Sequence, residues 1–200
     1  GARCASRLRT LERALPDEEA LIRRTALDQP NVPEPGWMKR FVSPLLYDPV
    51  KAVRMEAARL LAEEPSLKLG PDLRKVYEAV LKEYTASMEY SADFAFARYN
   101  LANLYVSVDQ PKDAIRSYRA AIKIDDLFYP AKVTLAMLYD RRGEKDKAEA
   151  LLREVLAAHE GLHEVAYSLG LLLAEGKRYE EAAAYLQEAA KGMPQHARVH

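Results

Sequence analysis

The chain has 200 residues, 49% of them apolar and 30% charged, the balance of a globular protein with material for one or two cores rather than of a disordered segment. Thirty Lys and Arg offset thirty Asp and Glu, so the pI lies near 7.1, which argues against a nucleic-acid partner because gripping a phosphate backbone calls for a basic surface. The single cysteine, Cys4, excludes an internal disulfide and cannot build a cysteine-based zinc or haem site, and no run approaches the ~18 apolar residues of a membrane span.

The opening GARCASRLRT has no apolar h-region and so no visible signal peptide. Two stretches then superpose, PDEEALIRRTAL and YDPVKAVRMEAA. Asp17 and Asp48 are 31 apart (48 − 17), as are Ile22 and Val53, Arg23 and Arg54, and Ala26 and Ala57. Asp48–Pro49 reads as an N-cap followed by a proline at the first helical position. Each arginine can reach an acidic neighbour in the adjacent unit. Asp, then an aliphatic–Arg pair, then Ala resembles the inner helix of HEAT repeats, which implies two HEAT-like helix pairs over residues 1–66. Between them QPNVPEPG (29–36) is a proline-rich loop, after which Trp37 begins a helix, WMKRFVSPLLY, as a packing anchor. Two such units rarely stand alone, so they are expected to pack onto the helices of the second half as one continuous solenoid.

Over 67–94 the stretch DLRKVYEAVLKEYTASMEYSAD reads as a linking and capping helix, with Tyr84 placed 34 before Tyr118 (118 − 84). Beyond it the spacing becomes strict. Leu101, Leu135 and Leu169 are 34 apart, as are Ala102, Ala136 and Gly170, and Ala114, Ala148 and Ala182. Tyr118, Leu152 and Leu186 keep the stride, and so do Ala121, Val155 and Ala189. Each unit reads as two amphipathic helices around the turn sequences SVDQP, DRRGE and AEGKR. The small residues let crossing backbones approach, and the large ones fill the space beside each crossing.

This pattern over residues 95–196 resembles three tetratricopeptide repeats (TPR). Its departures are Arg98, Lys132 and Ala166 where the family usually has tryptophan, and a closing proline present only as Pro194. The resemblance implies an all-α fold, a right-handed α-α superhelix (solenoid) of two HEAT-like helix pairs followed by TPR units. Residues 197–200 would begin a fourth repeat. A chain that stops there is expected to be a piece of something longer, with an uncapped end open to self-association.

HEGLH (159–163) spells the HExxH zinc-protease signature. That chemistry needs both histidines one turn apart on one helix, plus a third ligand. The register instead puts His159 at the end of one helix, Gly161 in the turn between repeats and His163 at the start of the next helix, with His196 and His200 a full repeat away. No metal site and no cofactor is expected. The acidic pairs at 63–64, 125–126 and 180–181 read as solvated or helix-end charge, since adjacent residues do not face each other on a helix. No glycine-rich phosphate loop, nucleophile elbow or CxxCH motif is present, so no enzymatic activity is expected.

The resemblance implies a concave groove lined by the first helix of each repeat. Its positions here are Phe96, Tyr99, Asn103 and Val106; then Pro130, Val133, Met137 and Asp140; then Glu164, Tyr167, Leu171 and Ala174. That stripe is mostly apolar and suits a protein or peptide partner. A co-chaperone type of carboxylate clamp is not expected: only Asn103 matches it, Tyr99 stands where a lysine belongs, Thr134 replaces an asparagine, and Glu164 and Ser168 stand at the positions of a Lys and an Arg. Asn100 is followed by Thr134 and Ser168, which also breaks the asparagine ladder of glycosyltransferase-linked repeats. The expected function is a non-catalytic protein–protein interaction scaffold. The alternative is an accessory module of a larger enzyme or electron carrier, because the order of HEAT-like and TPR units is similar to the C-terminal region of some bacterial multihaem cytochromes c. That similarity implies a periplasmic location in place of the cytoplasmic default.

Overall fold

The computed structural model describes residues 2–28, 35–64 and 66–192, and among these every regular element is a helix. Most of the proline-rich loop, Pro194, His196, His200 and the start of a fourth repeat lie outside the described residues. Two compact units are present, one of residues 1–92 with 103–110, the other of 93–102 with 111–200.

In the first unit α1 (Ala2–Ala14) and α2 (Ala20–Leu27) precede a broken helical stretch, and α4 (Lys51–Ala62) and α5 (Pro71–Tyr90) come after it. WMKRFVSPLLY does not form one uniform α-helix. A single α-turn, α3 (Pro35–Trp37), passes into a π-helical turn at Met38–Val42 and a 3-10 turn at Ser43–Tyr47. Pro44 accounts for much of the change, since a proline nitrogen cannot donate to an α-ladder. The irregular backbone still directs Met38, Val42, Leu45 and Leu46 into one core with Leu27, Val53 and Ala57. Trp37 packs at the edge of that core, its ring 5.2 Å from Phe41 and its Nε1 donating to Glu12 Oε1 at 3.1 Å.

The two arginines that match in sequence do reach acidic neighbours. Arg23 donates to Asp48 through Nε at 2.6 Å and Nη2 at 2.9 Å, in a pair almost wholly withdrawn from solvent. Arg54 makes the same two-pronged contact with Glu83 of α5, at 2.7 and 3.0 Å. The hydrogen bonds from Arg23 to Asp48 raise the Arg23 pKa above its ordinary value, and Arg54 holds Glu83 below the usual carboxylate range. Asp48 is not the N-cap that its position before a proline suggests. The cap is Val50 and the helix begins at Lys51, while Asp48 Oδ1 accepts from the Val50 amide at 2.8 Å in a turn just ahead of it. A second small cluster gathers Ala62 and Tyr84 with Leu104, which also belongs to this unit.

The 34-residue stride survives to the residue in helix boundaries. The first helix of each pair is α6 (Ala95–Ser107), α8 (Tyr129–Arg141) and α10 (His163–Glu175); the second is α7 (Pro111–Ile124), α9 (Lys145–Ala158) and α11 (Tyr179–Gly192). In the second unit the principal packing from α7 onward joins each helix to the next in sequence, as a stack of helix pairs requires. Ala114, Ala148 and Ala182 are buried at equivalent positions, as are Ala121, Val155 and Ala189. Gly170 shows why the small position must stay small: a Cβ there would lie 2.8 Å from Leu186 and 3.3 Å from the Ala182 carbonyl oxygen of α11.

Candidate functional surface

Each first helix of a pair divides its side chains in the same way. Leu135, Ala136, Leu138 and Tyr139 of α8 are buried, as are Leu169, Gly170, Leu172 and Leu173 of α10. The residues expected to line a groove are on the other side, and none of them is buried. Met137 is 54% exposed, Phe96 51% and Leu171 43%, while Tyr99, Val133, Asp140, Tyr167 and Ala174 are half-buried. Val133, Met137 and Asp140 fall at i, i+4 and i+7 on α8, and Tyr167, Leu171 and Ala174 repeat that stripe on α10. Asn103 and Val106 are also half-buried, but they belong to the first unit.

Tyr99 has a packing role as well. Its ring lies 5.9 Å from that of Tyr118 and meets Phe128 edge-on at 5.5 Å, and its hydroxyl is 3.5 Å from Thr134 Oγ1. It therefore joins α6 to α7 and to the start of α8. Tyr118 itself is fully buried, and that burial drives its pKa upward.

The charge on this surface is of one sign. Among the twelve expected groove positions the ionisable side chains that carry charge at neutral pH are Asp140 and Glu164, with no lysine or arginine. Neither carboxylate makes an ion pair among the described residues. Lys145 is held by Glu175 at 2.7 Å and attracted more weakly by Asp140. Elsewhere in the unit several opposite charges are paired. Arg153 donates to Glu149 at 2.8 Å, to Glu181 at 2.8 Å and to the Tyr185 hydroxyl at 2.9 Å, and Arg178 reaches the same two glutamates.

The family's tryptophan position hides a feature that sequence reading passed over. Lys132 stands there, 3% exposed, with its Nζ 2.8 Å from Asp126 and 2.5 Å from Glu154. Burial alone would lower its pKa, but the two carboxylates outweigh that and raise it. Asp126 is thus a partner rather than plain solvated charge, and its neighbour Asp125 accepts from the Leu127 amide at 3.0 Å. A lone lysine within an otherwise apolar helical stripe was the available signal.

HEGLH is a turn. Helix α9 ends at Ala158, His159 is extended, Gly161 is left-handed at φ 76°, and α10 starts at His163. The ring of His159 lies 5.1 Å from that of Tyr129, while His163 Nδ1 sits 3.1 Å from the Glu188 carbonyl oxygen. The previous repeat closes its DDLFY turn (125–129) with an equivalent hydrogen bond, the Tyr129 amide donating to Leu127 O at 2.7 Å as the His163 amide donates to Gly161 O at 2.9 Å, although Leu127 does not share the left-handed angle of Gly161. Both histidines border a half-open pocket of about 400 Å³, yet among the described residues no three His, Cys, Asp or Glu side chains converge to hold a metal.

Family models described as tetratricopeptide repeat match residues 97–126 and 133–197. No curated protein matches the chain. Among solved structures it is similar to TTC0263, a thermophilic TPR protein in Thermus thermophilus, at 21% identity and a TM-score of 0.54, covering 96% of this chain and 92% of that one. It is similar also to YrrB, described as a TPR protein with an unusual peptide-binding site, at 17% identity and a TM-score of 0.53, covering 98% and 84%. A third likeness is to MamA, at 22% identity and a TM-score of 0.52, covering 82% and 90%. At these identities the likeness is one of fold.

Proposed function

Residues 97–126 and 133–197 are tetratricopeptide repeats, and from that premise we propose that the chain is a non-catalytic scaffold whose second unit holds a segment of a partner protein against α8 and α10. The fold is that of protein–protein interaction scaffolds. The observation that carries the finer reading is the exposure of Met137 and Leu171 at equivalent positions of consecutive repeats, flanked by Val133 and Tyr167. Isolated exposed apolar residues are ordinary, but a stripe that recurs with the repeat is the pattern of a binding face. Asp140, Ala174, Phe96 and Tyr99 extend that face within the same unit.

A peptide-display selection on the immobilised chain tests this. Selected peptides should lose binding to a Met137→Glu, Leu171→Glu double variant, while its thermal unfolding stays near that of the parent because both side chains are already exposed. Retained binding by a folded double variant would count against the reading.

A further inference from the structure

We infer that the segment held by this face is an internal stretch of a partner protein whose apolar side chains are flanked on both sides by lysine or arginine. The inference rests on the binding face proposed above and adds the chemistry of its occupant. The face is acidic at two opposite ends. Glu164 lies in the first turn of α10, and Asp140 lies in the last turn of α8. Ten residues of helix separate these two levels of the repeat, since position 164 corresponds to 130 and 140 − 130 = 10. At ~1.5 Å per residue that is about 15 Å along the helix axis, with Val133, Met137, Tyr167 and Leu171 between the acidic ends.

Helix stability accounts for only one of the two acids. An acid in the first turn favours a helix, whereas an acid in the last turn opposes the helix dipole. Asp140 is therefore placed against its own helix's preference. Arginine and lysine are abundant elsewhere in the unit, where they pair with Glu149, Glu181, Glu175 and Glu154. None stands at a groove position. A face that is acidic at both ends, with no basic residue at a groove position, repels a terminal carboxylate and favours cationic flanks, through complementarity that sets specificity more than affinity.

Three peptides of about a dozen residues, capped at both ends and sharing one Leu- and Phe-containing core, test the inference when flanked by Lys, Gln or Glu. Fluorescence anisotropy should rank them Lys, Gln, Glu, with the Lys-flanked peptide about fivefold tighter than the Gln-flanked one and the gap closing as salt is raised. In Asp140→Asn, Glu164→Gln the ranking should vanish, the three peptides then binding within about twofold of one another. Equal binding of the three by the parent chain, or a preference for Glu, would overturn the charge inference and leave the binding face standing. If Met137→Glu fails to weaken the Gln-flanked peptide, the binding face itself is wrong. Failure of all three to bind would overturn both.

Discussion

Gly143 and Lys177 take the same left-handed backbone, at φ 76° and 61°, 34 residues apart (177 − 143). Each comes just after the first helix of a repeat, and the next amide reaches back five residues: Glu144 donates to Tyr139 O at 2.9 Å and Arg178 to Leu173 O at 3.0 Å. A left-handed conformation costs a residue with a Cβ about 1–2 kcal/mol, while glycine loses about 0.5–1 kcal/mol more chain entropy than alanine on folding. Lys177→Gly should therefore stabilise the second unit by about 0.5–1 kcal/mol in urea unfolding, and Gly143→Ala should destabilise it by a similar amount. Asp109, at φ 56°, completes the series with a side chain that tolerates the region better.

The close crossing at Gly170 yields a second expectation. Leu186 would sit 2.8 Å from any Cβ there, with the α11 backbone just behind it. Gly170→Val should cost about 1–3 kcal/mol by forcing the helices apart. Calorimetry on the variant checks this, and an unchanged melting temperature would mean that the two helices are not in close contact.

Acid should weaken the second unit through its glutamates. Burial alone would raise Glu149, but hydrogen bonds from Arg153 and Arg178 outweigh it and hold the group below its ordinary value of 4.5; Arg178 and Arg153 do the same for Glu181. A carboxylate depressed in the folded state contributes stability that is present above pH 4.5 and is lost as pH falls through its lower folded value. Urea midpoints measured from neutral pH downward should decline below that point, and less steeply in Glu149→Gln. An identical pH slope in variant and parent would refute the assignment.

Base should act on the first unit. Tyr84 is buried beside Ala62 and Leu104, and burial pushes its pKa up from 10.0 to about 12. Because the neutral phenol is favoured in the folded state, stability is complete below pH 10.0 and falls as pH climbs toward 12. Tyr84→Phe should flatten the alkaline decline of the urea midpoint. It should also leave the early part of a phenolate absorbance titration unchanged, since Tyr84 contributes no signal there; a loss of early amplitude in the variant would refute the assignment.

The repeat was legible in the sequence because the closest helix crossings admit only small side chains. Ala102, Ala136 and Gly170 mark the stride as clearly as the leucines do, and the helix boundaries keep to it. The ion pairs of Arg23 and Arg54 were readable from the two superposable stretches, because the guanidinium at the matching place in each meets a carboxylate from a later segment, Asp48 and Glu83. Features set by backbone detail were not readable. Gly176 is the glycine of the AEGKR turn, yet Lys177 carries the left-handed angle. The change of helix type between Trp37 and Tyr47 left no mark in apolar spacing, because the π-helical turn still delivers Met38 and Val42, and the 3-10 turn Leu46, to one core. Lys132 was missed because its two carboxylates come from a turn and from the next helix.

Methyl-labelled NMR during titration with the capped, Lys-flanked peptide tests the scaffold reading most directly. The methyl signals of Val133, Met137 and Leu171 should move with peptide concentration while those of buried Leu135, Leu152 and Leu169 hold still. Shifts confined to methyls away from α8 and α10, or spread evenly through the buried leucines, would contradict it.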